Sequence, residues 1–118
     1  MGIAVQKEPG NIREIRISGT LKKAELDSVQ AAAREEITKT GKIRILVILE
    51  NFLGWEQGAD WGDMAFFYEH GDDVERIAIV GDPKWKQKAL MFAGEGLRSA
   101  PVRFFPASEL EQARKWLR

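Results

Sequence analysis

Histidine and carboxylate residues are the side chains of this sequence that could take part in acid–base chemistry. His70 is the only histidine, and Glu69, Asp72 and Asp73 stand close to it in the sequence as candidate partners for a general base. His70 also follows the predicted end of a helix, where a cation complements the helix dipole without any catalytic role. Helix stabilisation is the favoured interpretation, and we expect no catalytic residue.

An acidic group formed by Glu56, Asp60 and Asp63 offers oxygen ligands of the kind that hard cations prefer. Its spacing lacks the alternation of a calcium loop, and capping of a helix that begins at Asp60 explains two of the three residues more simply. The chain has no cysteine, which excludes thiolate metal sites, disulfides and cysteine nucleophiles. We therefore expect no metal and no cofactor. An enzyme that uses Asp60, Asp63 or His70 is the weakest functional hypothesis.

Aromatic side chains give a stronger signal for a binding site. Trp61 and Trp85 fit core positions between sheet and helices better than they fit the lining of a pocket. Phe52, Trp55 and Phe66 fit the core less well, so a binding surface and ordinary packing explain them equally well. Five aromatic residues fall within sixteen positions and two lie on the next predicted helix: Phe52, Trp55, Trp61, Phe66, Phe67, Trp85 and Phe92.

The first half of the chain has the pattern of two strands, a helix and a buried strand. Alternation over 3–5 and 12–18 predicts a hairpin with one face in water. A helical period over 21–39 places Leu26, Val29, Ala33 and Ile37 toward the core. The apolar run 45–49 predicts a strand covered on both faces, which stops at Glu50–Asn51 and continues as a loop over 51–59.

The second half predicts two further strands and three helices. A helix from Asp60 faces the core with Trp61, Met64, Ala65 and Tyr68, and Phe66 points away from the sheet. Strand 76–81 leads into a helix capped by Asp82, whose buried side chains are Trp85, Ala89, Phe92 and Ala93. Strand 102–105 precedes a last helix, which a Ser108–Glu111 capping box begins. The order ββαβαβαβα predicts one α/β domain over 1–118, with a mostly parallel sheet.

Composition and charge exclude several classes of partner. Eighteen basic residues balance eighteen acidic ones, so no overall field attracts nucleic acid. No apolar run approaches the roughly 18 residues of a membrane span, and the first residues lack the pattern of a signal peptide. We therefore expect a cytoplasmic protein that binds no nucleic acid.

Two segments resemble a known family. The strand-to-helix segment 76–85, RIAIVGDPKW, and the tail 102–117, VRFFPASELEQARKWL, are similar to the SpoIIAA-like family and its STAS fold, in particular to a bacterial branch labelled STAS/SEC14-like. The resemblance implies a module without established catalysis that holds a hydrophobic or lipid-like ligand between sheet and helices, or that associates with membranes.

One feature of the family pattern is missing. The resemblance implies a phosphorylatable Ser or Thr in the loop after the central strand, but none occurs from Gly41 to Arg98. Because a partner switch depends on adding about two negative charges to that hydroxyl, we expect no phosphoswitch here.

The sequence thus predicts a non-enzymatic binding module whose site lies between helices two and three, at the carboxyl ends of the central strands. The ligand is a hydrophobic small molecule or lipid, and Lys84, Lys86 and Lys88 could attract an anionic head group. The alternative is a protein-interaction or homodimerisation domain, with Phe66 at the interface. Peripheral membrane contact fits either hypothesis. The predicted ligand-binding residues are Phe52, Trp55, Trp61, Met64, Phe67, Trp85 and Phe92.

Overall fold

The computed structural model describes residues 2–58, 73–94 and 100–118. Within them, β1 (Ile3–Glu8) and β2 (Ile12–Leu21) form an antiparallel hairpin. Gly10 and Asn11 turn the chain with φ angles of 89° and 59°, a region that Gly and Asn enter more readily than other residues. The predicted hairpin is confirmed.

Three parallel strands extend the sheet from this hairpin. They are β3 (Ile43–Trp55), β4 (Val74–Gly81) and β5 (Val102–Pro106), and each runs parallel to the strand before it. The spatial order is β1-β2-β3-β4-β5, so the sequence order of the strands is also their order in the sheet. The predicted α/β class and mixed, mostly parallel sheet are confirmed.

Three α-helices lie among the described residues. α1 (Lys23–Thr40) joins β2 to β3. A short 3-10 turn, Pro83–Trp85, follows β4 and leads into α2 (Lys86–Phe92). A second 3-10 turn, Ala107–Glu109, follows β5 and leads into α3 (Leu110–Leu117). The helix predicted to begin at Asp60 lies outside the described residues.

The helices cover the two faces of the sheet unequally. α3 packs on one face through Ala113 and Leu117, both with no exposed surface. α1 and α2 share the other face, where Ile37 and Ala89 join the buried side chains of β3 and β4. Right-handed crossovers between adjacent parallel strands put the connecting helices on the same face, which accounts for the shared face of α1 and α2.

The central strand is longer than the sequence predicted. β3 passes through Asn51 and ends at Trp55, so the loop predicted over 51–59 is wrong for its first five residues. Asn51 has a φ of 48°, and the pairing with β2 skips it: Ser18 faces Glu50 and Gly19 faces Phe52. Asn tolerates this conformation and forms a bulge, so a residue that usually marks a turn does not end the strand. The bulge brings Phe52 against Leu49, on the face of α1 and α2.

Two smaller predictions also need correction. The Ser108–Glu111 capping box is wrong, because a 3-10 turn precedes α3 and the N-cap residue is Glu109, with no side-chain cap bond. Phe92 was predicted to be buried, but it ends the short helix α2 and remains 40% exposed.

The alternation of β2 predicted that its outer face is exposed to water, but part of this face is covered. Glu14 has a side chain only 3% exposed, because α3 covers it. Arg114 of α3 donates hydrogen bonds to Glu14 at 3.0 Å and to Glu8 at 3.2 Å, and Arg16 donates to Glu14 at 3.0 Å. Burial by itself raises the pKa of Glu14, but hydrogen bonding with Glu8, Arg16 and Arg114 outweighs it and the pKa falls below its ordinary value.

Candidate functional site

Four aromatic side chains meet where β3 and β4 end. Phe52 and Trp55 lie on the extension of β3 beyond the bulge, and their ring centres are 5.0 Å apart, edge to face. Trp85, from the turn after β4, lies 5.0 Å from Phe52 and 5.9 Å from Trp55. Phe92 of α2 lies 5.5 Å from Trp55. Gly54, with a φ of 117°, lies beside Trp85, and a Cβ atom there would be in ordinary van der Waals contact with the indole at 3.5 Å.

Three of these aromatic residues, Phe52, Trp55 and Phe92, border a cavity of about 760 Å³ between the sheet and the helices α1 and α2. We call it the sheet–helix cavity. Its size lies within the roughly 300–1,000 Å³ typical of small-molecule sites. Its apolar walls come from the inner face of the sheet, from one stripe of α1 and from α2: Ile15, Ile17, Val47, Leu49, Ile79, Leu26, Val29, Ala33 and Met91.

The end of the sheet–helix cavity near the start of β2 carries an ion-pair cluster. Glu36 of α1 accepts a hydrogen bond from Arg13 at 2.9 Å and forms a 3.0 Å ion pair with Lys7. These hydrogen bonds, first that from Lys7 and then that from Arg13, lower the pKa of Glu36. All three residues line the cavity, and at this end one carboxylate pairs with two cations.

The opposite end of the cavity combines the aromatic residues with a lysine. Lys88 lines the cavity, and its ammonium lies 5.9 Å from the centre of the Trp85 ring, within reach of a cation–π interaction. Lys84 lies over the same ring at 5.7 Å. The indole Nε1 of Trp55 is buried and has no hydrogen-bond partner among the residues that the structure describes. A buried donor without an acceptor costs about 1–3 kcal/mol, so this position calls for an explanation.

A second cleft, of about 640 Å³, lies on the other face of the sheet beside α3 and β5. It is lined mainly by polar and charged side chains, with Trp116 resting against Phe105 at a ring distance of 6.0 Å. Its mixed charges, Arg103 and Lys115 with Glu109, favour no single ligand class.

The described ranges hold no group of three or more histidine and carboxylate side chains placed to bind a metal ion. Among the same residues, no helix has the length and apolar content needed to cross a bilayer. Glu56 accepts a hydrogen bond from the backbone N–H of Lys23 at 3.0 Å, which ties the end of β3 to the start of α1. His70, Asp60 and Asp63, the other candidates for acid–base or metal chemistry, lie outside the described residues.

Comparison with known proteins assigns the chain to a family. The family model described as SpoIIAA-like matches residues 12–118. The chain belongs to the SpoIIAA-like family. No curated protein sequence matches it.

Solved structures share the SpoIIAA-like fold. An uncharacterised DUF3478-family protein with a SpoIIAA-like fold, from Shewanella loihica PV-4, is 22% identical with a TM-score of 0.75, over 99% of this chain and 94% of that one. The anti-sigma factor antagonist SpoIIAA in its unphosphorylated form is 13% identical with a TM-score of 0.65, over 98% of each chain. The phosphorylated form of the Bacillus cell fate determinant SpoIIAA is 16% identical with a TM-score of 0.62, over 99% and 100%. At these identities the likeness concerns the fold.

The structure brings together four of the residues that the SpoIIAA-like sequence singled out for ligand binding, namely Phe52, Trp55, Trp85 and Phe92. Phe52 is buried and Trp55 is half-buried, and both lie on a strand instead of a loop. Trp61, Met64 and Phe67, predicted for the same site, and Phe66, predicted for an interface, lie outside the described residues.

Sequence reasoning missed the contribution of α1 and β1 to this SpoIIAA-like cavity. The stripe of Leu26, Val29 and Ala33 was predicted to face the core, and Ala33 does pack against it, but all three side chains also line the cavity. A small residue in the middle of the stripe, Ala33, was the available signal, because a short side chain leaves space between a helix and a sheet. No signal in the sequence indicated that the indole N–H of Trp55 lacks a partner within the described ranges.

Proposed function

We propose that this SpoIIAA-like chain is a non-enzymatic binding module that holds a hydrophobic or lipid-like ligand in the sheet–helix cavity. The observation that carries the proposal is the cavity itself, about 760 Å³ in volume and walled mainly by aliphatic and aromatic side chains. Ligand sites of this kind are mostly apolar, with few polar groups that fix orientation. The ion pair of Arg13 and Glu36 at one end and Lys88 at the other supply such groups.

The size and lining of the cavity favour a ligand with a long apolar part. It extends along β3 from Ile43 to Trp55, both of which line it. At about 3.3 Å per residue, the part from Ile45 to Phe52 alone measures roughly 20 Å. Each methylene group of the ligand that moves from water to such a wall contributes about 0.8 kcal/mol to the binding free energy. The affinity of an extended chain therefore increases with the number of methylene groups in the cavity.

The family fold favours a regulatory or binding role, and the sequence argues against one form of it. The phosphorylated and unphosphorylated forms of SpoIIAA share the fold of this chain. From Gly41 to Arg98 this chain has no Ser or Thr, so a phosphorylated hydroxyl after the central strand has no equivalent here. We therefore propose binding without a phosphoswitch in that segment.

Native mass spectrometry of gently purified protein tests the proposal. We expect a reproducible additional mass that denaturing analysis identifies as a small amphiphile, or, after delipidation, uptake of one molecule of added palmitate or monopalmitoylglycerol. A protein that keeps its bare mass in both experiments would contradict the proposal, because a cavity with these walls must favour at least one of the probes.

A protein-interaction domain is the second candidate. Leu53 is 72% exposed and Met91 is 75% exposed, which is unusual for side chains of this size and is typical of a contact surface. A mass that rises with concentration in light scattering, and that Leu53→Ser returns to the monomer value, would favour a homodimer over the ligand site.

A further inference from the structure

The two ends of the sheet–helix cavity differ in how their charges are compensated. At the end near the start of β2, Arg13 and Lys7 share the carboxylate of Glu36. The cluster keeps one net positive charge, and Arg13 Nε is buried without a hydrogen-bond partner among the described residues, but both cations already pair with Glu36. A second anion there would have to share these cations with that carboxylate, which makes this end the less favourable one for an acidic group.

The aromatic end differs in having a cation that pairs with no described carboxylate. Lys88 lines the cavity, and its ammonium forms no ion pair with a carboxylate of the residues that the structure describes. Lys23, which also lines the cavity, already pairs with Asp27. Among the described residues, no carboxylate pairs with Lys88 or Lys84, so their positive charge over the Trp85 ring is not offset there.

Trp55 adds a hydrogen-bond donor at the same end. Its Nε1–H is buried without an acceptor in the described part of the chain, although the ring lines the cavity and contacts Phe52, Trp85 and Phe92. An indole nitrogen can only donate, so the group that satisfies it must bring an oxygen acceptor. Hydrogen bonds to a charged acceptor are stronger than those to a neutral one.

We propose, resting on the function proposed above, that the ligand is an anionic single-chain amphiphile. Its acidic head lies at the aromatic end, accepts a hydrogen bond from Trp55 Nε1 and faces the ammonium of Lys88. Its apolar chain runs along β3 toward the Arg13–Glu36 pair, which ends the apolar path. A fatty-acid carboxylate and a lysophospholipid phosphate share this chemistry.

Calorimetric titration of the delipidated protein with ligands of one chain length tests the proposal. At low ionic strength, we expect palmitate to bind about tenfold more tightly than monopalmitoylglycerol, as a charge-assisted hydrogen bond implies. Palmitoyl lysophosphatidate in a third titration distinguishes the two sources of an acidic head. A preference for either acid over the neutral ester supports the proposal.

Two conservative variants separate the head-group contacts from packing. Trp55→Phe keeps an aromatic ring but removes the N–H donor, and we expect it to weaken palmitate binding about tenfold. Lys88→Gln should weaken palmitate binding about threefold, as an exposed charge contributes less, and leave monopalmitoylglycerol unchanged. Lys86→Gln, on the same helix but outside the cavity lining, is the matched control and should change neither.

Each contrary outcome has a distinct meaning. Equal affinity for palmitate, lysophosphatidate and the neutral ester, or a preference for the ester, would overturn the anionic head while leaving the proposed function intact. An anion preference that survives both Trp55→Phe and Lys88→Gln would overturn the assigned head-group position. Failure of all three ligands to bind would overturn this inference and the proposed function together.

Discussion

Replacing Arg114 with methionine is expected to lower the free energy of unfolding by about 3 kcal/mol at pH 7. Arg114 is the cation that joins α3 to the hairpin, through Glu14 of β2 and Glu8 of β1. Glu14 has a side chain that is only 3% exposed, so the variant leaves a buried carboxylate without one of its two cations. Removing one partner from a buried ion pair typically costs about 3–5 kcal/mol.

The same variant should depend on pH in a defined direction. In the native protein the pKa of Glu14 lies below its ordinary value of 4.5, so its pairing contributes stability above that pH and loses it as the pH falls through the lowered pKa. Without the hydrogen bond from Arg114, less of the effect of burial on Glu14 is offset, and the pKa of Glu14 rises. The carboxyl group of the variant then takes up a proton more readily, and the deficit relative to the native protein should shrink between pH 7 and pH 4.

Urea unfolding at pH 7 and pH 4 measures both effects. Lys115→Met, an exposed position next to Arg114 on the same helix, is the control and should stay within about 0.5 kcal/mol of the native protein. A loss below about 1 kcal/mol for Arg114→Met at pH 7, or a deficit equal at the two pH values, would show that the buried carboxylate does not depend on Arg114.

Filling the sheet–helix cavity from α1 is expected to abolish ligand binding. Ala33 is half-buried and lines the cavity, so Ala33→Trp places an indole in the path of an apolar chain. We expect the affinity of this variant for palmitate and for monopalmitoylglycerol to fall at least about a hundredfold. The indole excludes several methylene groups of the ligand from the cavity, and each of them contributes about 0.8 kcal/mol to binding.

Ala31→Trp provides the matched control for that experiment. Ala31 lies on the same helix but is exposed and does not line the cavity. Both variants should keep the native circular dichroism spectrum, and the control should bind both probes with native affinity. Equal binding by Ala33→Trp and Ala31→Trp, with both proteins folded, would place the ligand elsewhere.

The fold could be predicted from the sequence because the hydrophobic periods of the segments and the right-handedness of parallel crossovers leave few alternative topologies. Alternation in β1 and β2, the apolar runs of β3 and β4, and the helical stripe of α1 predicted the strands, their sequence order and the parallel crossovers. The end of β3 was missed for a local reason. Asn51 carries a turn signal, but its left-handed conformation forms a bulge while the strand continues to Trp55.

The candidate site was predictable only in part. The aromatic character of Phe52, Trp55 and Trp85 is visible in the sequence, and adjacent parallel strands bring their carboxyl ends together. The cavity itself was not predictable, because periodicity states which side of α1 faces the sheet but not how closely the helix approaches it. The pairing of Glu14 with Arg114, and the lack of a partner for Trp55 Nε1 among the described residues, depend on atomic positions across distant elements.

Methyl NMR with a spin-labelled ligand tests the central claim most directly. Doxyl-labelled stearate bound in the sheet–helix cavity should broaden the methyl signals of Val29, Val47 and Ile79, which line it. The methyl signals of Leu46 and Leu117, in the cluster under α3 on the other face, should remain sharper. Equal broadening on both faces, or none at saturating ligand, would contradict the proposal that this cavity is the binding site.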